Sequence, residues 1–278
     1  MRQRTLSRQL VFDGVGIHTG SRSRIVLHPE EENAGVRFYK EGVYVPARYE
    51  FVVNTAHSTD LARSGKLIKT VEHLLASLHL LGITNLTIEV TGPEVPILDG
   101  SSLVYYEELK KFVREQNATL EPFVVTRPVT VRAGDKFVKA LPSEQLVVSY
   151  EGEFNNFLGR QSYTYRGRPE EVVPARTFCF EWEIERIKSM GLGRGGSLSN
   201  TLVLGKERVY NEDGMRFAEE PVRHKVLDLI GDLYLLGRPV KGSFFSFKGG
   251  HALNYELVKK LAREGSRVRT SEWRQTKV

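Results

Sequence analysis

The sequence predicts an α+β fold made of two similar domains, each a sheet packed against helices. Two segments, Thr70–Gly82 and His224–Gly237, are apolar with a helical period, and both close on Leu-Leu-Gly. Glycine suits the left-handed position that follows a helix. Because the two segments lie about half of the 278-residue chain apart, they indicate a repeat rather than one simple core. We predict a first domain over 1–118 and a second over 119–278.

The local patterns of the two halves follow the same theme. In the first half, alternating apolar runs predict antiparallel strands, and they are followed by a helix over Thr70–Leu81, the strand NLTIEV and a second helix over about Ser102–Glu115. The second half has strand-like runs at FVVTRPVTVRAG, KFVKALP and QLVVSYEGEF, then its own Leu-Leu-Gly helix and the strand SFFSFKGG. The runs of strands and helices favour an α+β class for each half.

A segment at about 176–204 has no counterpart in the first half and is predicted to be a βαβ insert of the second domain. It carries a helix over about Glu181–Met190, a glycine-rich turn and the strand NTLVLG. Ordinary packing onto the domain beneath explains most such apolar residues. Their number also allows a tunnel for an acyl chain, lined by residues such as Phe178, Phe180, Ile184, Ile187 and Leu192.

Composition narrows the class of protein without choosing a function. Hydrophobic residues make up 40% and charged residues 27%, and no apolar run is long enough to span a bilayer. The N-terminus lacks the apolar core of a signal peptide, and the single cysteine, Cys179, forms no intramolecular disulfide, so we expect a cytoplasmic protein. The net charge of +6 is compatible with an anionic substrate, nucleic acid or acidic lipid. The basic residues cluster only in the tail, at Arg267, Arg269, Arg274 and Lys277.

The stretch HKVLDLIGD carries the most informative pattern. His224, Asp228 and Asp232 are spaced by four residues, so a helix points all three from one face. The same stretch is apolar at Val226, Leu227, Leu229, Ile230 and Leu233, which indicates a buried helix. Buried carboxylates are costly unless they have a hydrogen-bond partner or a metal. A bound cation would resolve this conflict.

The first Leu-Leu-Gly segment supplies a further donor. His73 lies nine residues before its closing glycine, as Asp228 does in the second segment. If a pseudo-twofold axis makes the two helices face each other, His73, His224 and Asp228 form a His₂Asp set that suits zinc. The alternative is a surface hydrogen bond or ion pair between His224 and Asp228. The burial of the surrounding face and the position of His73 favour the metal site.

Two further residues have both a catalytic and an ordinary interpretation, and one glycine-rich turn is a weak motif. Glu72 is displaced from His73 by about 100° around the helix, so it can act as a general base beside a metal or simply stabilise the first helical turn. His251, after the strand that leaves the metal helix, can be protonated next to Asp232 and act as general acid, although alone it would be structural. The glycine-rich turn GVGIHTG with His18 lacks a phosphate-loop ending and is a weak motif.

Taken together, these motifs resemble the UDP-3-O-acyl-N-acetylglucosamine deacetylase family, the zinc amidases of lipid A synthesis in Gram-negative bacteria. The resemblance runs through nearly the whole chain, in the order GVGIHTG, KTVEHLLASL, PEVPILDGS, ARTFCF, GLGRGGSL, VRHKVLDLIGDL and GGHALN. It implies two layered domains with the active site between them. It also implies that the segment after ARTF forms the hydrophobic acyl passage.

The resemblance also implies roles for individual positions. The zinc ligands would be His73, His224 and Asp228, with Glu72 as general base and His251 as the protonated partner that Asp232 supports. Thr177 would stabilise the tetrahedral oxyanion. Substrate contacts would come from Phe178 and Lys225 at the sugar, Phe154 and Lys248 at the nucleotide, and Ile184, Ile187 and Leu192 along the acyl chain. The resemblance implies no role for His57 or for the tail after Lys260.

The implied reaction is hydrolysis of the acetamide of UDP-3-O-(3-hydroxyacyl)-N-acetylglucosamine to acetate and the free amine. We expect a monomer with zinc as cofactor, a UDP-linked acylated amino sugar as substrate, and neither nucleic-acid binding nor stable membrane insertion. One alternative is an RNA-binding protein, which would leave the buried His/Asp pattern unexplained. Another is a zinc hydrolase for a different N-acyl sugar or a peptide. The apolar insert favours a lipid-bearing substrate by analogy alone.

Overall fold

A computed structural model describes residues 1–275, with backbone alone over 265–275. The side chains of the basic tail named above therefore lie outside the described residues. The α-helices are α1 (Glu72–Leu81), α2 (Leu103–Lys110), α3 (Ile184–Ser189), α4 (Glu220–Leu233) and α5 (His251–Gln275). The strands of the first half are β1 (Arg2–Leu6), β2 (Leu10–Val15), β3 (Arg22–Pro29), β4 (Val36–Lys40), β5 (Val43–Pro46), β6 (Val52–Asn54), β7 (Asp60–Arg63), β8 (Lys66–Ile68), β9 (Leu86–Thr91) and β10 (Val113–Thr119). Those of the second half are β11 (Phe123–Val124), β12 (Val129–Ala133), β13 (Lys136–Leu141), β14 (Leu146–Glu153), β15 (Arg160–Tyr165), β16 (Phe178–Phe180), β17 (Leu202–Leu204) and β18 (Val240–Phe247).

The two large sheets have the same topology, which confirms the α+β class and gives the repeat a structural form. The first sheet has the strand order β2-β3-β9-β4-β5, and the second has β12-β13-β18-β14-β15, with β11 added beside β18. In each sheet the strand that comes last in the chain lies in the centre, antiparallel to one neighbour and parallel to the other. In each half a helix precedes that central strand and another follows it.

The two Leu-Leu-Gly helices pack directly against each other. α1 packs against α2 and α4, while α4 also contacts α5, β14 and β15. A side chain at Gly231 would overlap the backbone carbonyl of Glu72 on the facing helix, so the close crossing of α1 and α4 requires glycine at this position. The helices that carry His73 and Asp228 therefore face each other, as the repeat predicted.

The ends of the helices show where local patterns are reliable. Gly82 and Gly237 both adopt the predicted left-handed conformation, with φ of 65° and 78°. The predicted start at Thr70 is wrong by two residues, because Thr70 has a φ of 57° and its hydroxyl donates to Glu94 Oε1 (2.7 Å). That contact comes from a distant part of the chain, so the helical period alone could not reveal it.

The prediction of a helix over about Ser102–Glu115 is wrong at its C-terminal end. α2 ends at Lys110, and Val113 begins β10, which pairs antiparallel with β1 at the N-terminus. Strand pairing of this kind depends on a partner more than 100 positions away, which overrides local helix propensity. The insert has the predicted βαβ form, since β16 and β17 are parallel and α3 lies between them. None of the helices in the described chain is both long and apolar enough to cross a membrane.

Buried His79 links α1 to the second half of the chain and makes the free energy of unfolding depend on pH. Its Nδ1 donates to the Ile230 carbonyl (2.8 Å), and its Nε2 accepts from the Val240 amide (3.3 Å), so the ring is neutral. Burial lowers the pKa of His79 from 6.5 to about 4. Since the unfolded chain takes up a proton first as the pH falls below 6.5, this contribution to folding is complete above that pH and is lost towards pH 4.

We expect His79 to account for about 2 kcal/mol of stability lost between pH 7.5 and pH 5. Urea unfolding of the wild type and of His79→Gln at both pH values measures this loss. The variant should be less stable at pH 7.5, but its stability should fall less than that of the wild type on acidification. An equal fall in the two proteins would contradict the assignment to His79.

Candidate metal centre

The buried donors on α1 and α4 meet at the base of a cavity of about 1050 Å³. One ligand atom each of His73, His224 and Asp228 lies within 4.8 Å of the others. All three side chains are buried, and the two imidazole rings meet edge to face with centroids 4.9 Å apart. His224 and Asp228 share one face of α4, and the glycine crossing brings α1 close enough to add His73.

His224 is held in one tautomer and orientation. Its Nδ1 donates to the Ala175 carbonyl (3.0 Å), which leaves the lone pair of Nε2 free, 3.3 Å from Asp228 Oδ1. Burial lowers the pKa of His224 to about 3, so the ring is neutral at physiological pH. A neutral imidazole whose other nitrogen bonds a backbone carbonyl is the usual form of a histidine metal ligand.

Asp228 has a carboxylate oxygen that accepts no hydrogen bond from the described residues. Its Oδ2 accepts from Lys225 Nζ (2.8 Å), whereas Oδ1 is buried without a hydrogen bond, and so is Nδ1 of His73. Burial would raise the pKa of Asp228, but the positive charges of Lys225 and His251 outweigh it and hold the pKa well below its usual value. A buried carboxylate oxygen left unpaired beside two imidazoles fits a divalent cation, and the His₂Asp set matches catalytic zinc sites.

Glu72 lies beside this group and is oriented by the chain. Its Oε2 accepts from the backbone N–H of Thr59 (3.0 Å), and its Oε1 lies 3.6 Å from His251 Nε2. Burial raises the pKa of Glu72 to about 7, against the opposing effect of His251 and His73. A carboxyl group with a pKa near neutrality can accept and release a proton under physiological conditions.

His251 begins α5 and lies beside Glu72 in the cavity wall. Its Nδ1 donates to Asp232 Oδ2 (2.8 Å), and the same oxygen accepts from Asn254 Nδ2 (2.8 Å). Burial would lower the pKa of His251, but the carboxylates of Asp232, Asp228 and Glu72 outweigh it and raise the pKa to about 10. The ring is therefore an imidazolium that presents Nε2–H to the cavity.

A buried ion pair positions the segment with Thr177. Arg176, 1% exposed, donates from its backbone N and from Nε to Glu220 Oε1 (3.0 and 2.8 Å), at the start of α4. The next residue donates its N–H to the Gly100 carbonyl (2.7 Å), and its side chain lines the cavity. The arrangement ties Thr177 to the helix that carries His224 and Asp228.

The predicted substrate residues fall into two groups. Phe178, Lys225, Lys248, Ile184 and Ile187 line the cavity. Two predicted contacts do not, Leu192 and Phe154. The N–H of Leu192 donates to the Ile187 carbonyl (3.1 Å) in the turn after α3, and the ring of Phe154 packs behind Phe178, with centroids 6.0 Å apart.

The structure brings further residues to the site to which the sequence assigned no role. His18 and His57 both line the cavity, and His18 Nε2 donates to the His57 carbonyl (3.2 Å). His18 belongs to the weak GVGIHTG motif, and its backbone N–H donates to buried Glu94 (3.0 and 3.2 Å). Thr59, which contacts both Glu72 and Asp232, carries no recognisable motif.

Comparison with known proteins matches almost the whole chain. Residues 3–263 match the family model described as UDP-3-O-acyl N-acetylglycosamine deacetylase. The chain is 60% identical to the UDP-3-O-acyl-N-acetylglucosamine deacetylase of Aquifex aeolicus (strain VF5) over 263 residues, 94% of this chain and 93% of the relative. Proteins with the same name from Anaeromyxobacter dehalogenans (strain 2CP-C) and Helicobacter pylori (strain J99 / ATCC 700824) are 42% and 40% identical over 271 and 269 residues. These alignments cover 93% and 94% of this chain, and 87% and 91% of the relatives.

Proposed function

Because this chain belongs to the UDP-3-O-acyl N-acetylglycosamine deacetylase family, it is a hydrolase that removes acetate from an acylated UDP-amino sugar, and we propose that its cofactor is zinc held by His73, His224 and Asp228. The family acts in lipid A biosynthesis. The observation that carries the zinc proposal is the unpaired, buried Asp228 Oδ1 between two imidazoles. When bound, zinc would supply Lewis-acid polarisation of the acetyl carbonyl and lower the pKa of a water.

Glu72 is the proposed general base. The attacking water must lose a proton as its oxygen bonds to the acetyl carbon, and a carboxylate with a pKa of about 7 accepts that proton readily. The backbone N–H of Thr59 occupies Oε2, so Oε1 is the oxygen available for this work. The alternative of a solvent-facing first-turn glutamate does not fit a side chain that is only 3% exposed.

His251 is the proposed general acid. Cleavage of the amide C–N bond leaves a nitrogen that needs a proton, and the imidazolium of His251 carries one on Nε2 at neutral pH. Asp232 accepts from Nδ1 and keeps that tautomer. The separation of 3.6 Å between His251 Nε2 and Glu72 Oε1 places base and acid on the same small region of the cavity.

The other residues of the cavity wall are the proposed substrate contacts. The Thr177 hydroxyl would donate to the oxyanion of the tetrahedral intermediate, while Lys225 and Phe178 would contact the sugar. Lys248 would meet the nucleotide end, and Phe154 would support Phe178 from behind. The apolar insert would take the acyl chain, with Ile184 and Ile187 in the wall together with Leu198 and Val203.

Further proposals concern the domain bounds, the oligomeric state and the cellular compartment. We place the domains at 1–118 and 119–278, since each range contains one copy of the repeated sheet topology. We further propose a monomer that works in the cytoplasm of a Gram-negative bacterium, since all the proposed site residues come from one chain and lipid A is a product of such bacteria.

Purified protein provides the direct test. Metal analysis should find roughly one zinc per chain, and the protein should release acetate from UDP-3-O-(3-hydroxyacyl)-N-acetylglucosamine. UDP-N-acetylglucosamine, which lacks the acyl chain, should react far more slowly if the insert binds that chain. Zinc-loaded protein that releases no acetate from the acylated substrate would refute the proposed function.

A further inference from the structure

We propose that Thr59 is a positioning residue that holds the general base and the Asp232–His251 pair in register across the two halves of the chain. This inference rests on the proposed function, because it gives Glu72 and His251 their roles in proton transfer. Thr59 lies immediately before β7 in the first half, whereas Asp232 and His251 lie 173 and 192 positions further along.

Thr59 uses all its polar atoms in this arrangement. Its backbone N–H donates to Glu72 Oε2 (3.0 Å), and its carbonyl accepts from the amide of Val71, the residue before α1. Its hydroxyl donates to Asp232 Oδ1 (2.6 Å) and lies 3.2 Å from His251 Nδ1. The side chain is 1% exposed, so it contacts the proton-transfer groups rather than the substrate.

The hydrogen bond from the Thr59 N–H determines which oxygen of Glu72 is free to accept a proton. With Oε2 occupied by Thr59, the carboxylate of Glu72 is held so that Oε1 faces His251 Nε2. Rotation of the carboxylate would exchange the two oxygens only by breaking this bond in a buried setting, where an unmet hydrogen bond is costly.

The hydrogen bond from the Thr59 hydroxyl orients Asp232 and, through it, the general acid His251. Asp232 accepts from Thr59 at Oδ1, and from His251 and Asn254 at Oδ2, so its carboxylate plane has contacts on both oxygens. Without the hydroxyl, Oδ1 would keep no fixed donor and the carboxylate could turn about its last bond. The imidazolium that it supports would then point Nε2 less accurately at the leaving nitrogen, and misplacement of a catalytic group lowers kcat.

Replacement of the hydroxyl by a methyl group of similar size tests the proposal. For Thr59→Val, we expect kcat to fall about 10- to 100-fold, with KM changed less than about threefold and zinc content unchanged. Thr59→Ser should restore kcat to within about threefold of the wild type. Should the valine variant fold poorly, Thr59→Ala removes the same hydroxyl without adding a branch.

The neighbouring residue provides a matched control. Ser58 is 2% exposed and donates its hydroxyl to Asp60 (2.8 Å) rather than to Asp232. Ser58→Ala should therefore leave kcat within about twofold of the wild type, and a loss equal to that of Thr59→Val would show that the segment is merely structural.

A double-mutant cycle completes the test. If the hydroxyl acts through Asp232, adding Thr59→Val to Asp232→Ala should lower kcat less than about threefold further. If the falls in kcat of the two single variants multiply in the double variant, the proposal is overturned. Full kcat in both Thr59→Val and Thr59→Ala would also overturn it. A wild type that does not deacetylate the substrate would instead refute the proposed function, so the two failures are distinguishable.

Discussion

His73→Ala is expected to abolish tight zinc binding and to lower turnover by about 10³-fold or more. The ring is one of three donors within 4.8 Å, and the other two lie on the opposite helix. Without it, the site retains one imidazole and one carboxylate, fewer than catalytic zinc sites use. A Lewis-acid cation stabilises the transition state by several kcal/mol, which corresponds to a loss of about 10³-fold or more in rate.

Metal analysis after dialysis and acetate release measure these two effects. Asp228→Ala should behave in the same way, with an added loss of stability because Lys225 would lose its buried partner. His57→Ala is the matched control, since it removes a histidine from the cavity wall outside the three-donor group and should retain the metal. Unchanged zinc content in His73→Ala would count against the ligand set.

Glu72→Ala and His251→Ala are expected to lower kcat by about 10²- to 10⁴-fold each while zinc stays bound. Neither side chain belongs to the three-donor group, and each faces it from the side. The base and the acid serve different proton transfers, so removal of either one leaves the reaction without a complete path for protons.

Two measurements separate a catalytic role from a structural one. Glu72→Gln keeps an oxygen that can accept from the Thr59 N–H, so this variant should fold normally. Its kcat should nevertheless fall as much as that of Glu72→Ala. Metal content should match the wild type in all three variants, and loss of metal from any of them would contradict the assigned roles. Wild-type kcat in His251→Ala would show that another group protonates the leaving amine.

The local patterns predicted the two helices and their donors because burial leaves a strong periodic signal. The four-residue spacing of His224, Asp228 and Asp232 and the matching position of His73 could be recognised without any long-range information. In contrast, the sequence did not reveal that α1 begins two residues after Thr70 or that Val113 begins a strand. Each of these features depends on a contact with a residue distant in the chain.

The alternatives for Glu72 could not be resolved from the sequence. A first-turn glutamate looks the same in sequence whether solvent or a second domain lies over it. The structure shows that the second half covers it, because Gly231 allows α4 to contact the backbone of α1 at Glu72. The resulting burial raises the pKa of Glu72, whereas the neighbouring carboxylates raise that of His251.

The sequence by itself determined the α+β class, the repeat, the family and the donors on each helix, since these follow from periodicity and motif order. The tertiary structure alone decided which donors meet, which oxygen of Glu72 is free, and that Thr59 contacts both sides of the site. The physical reason is that hydrogen bonds and burial depend on distances between segments. Those distances arise only when the two sheets and their helices pack together.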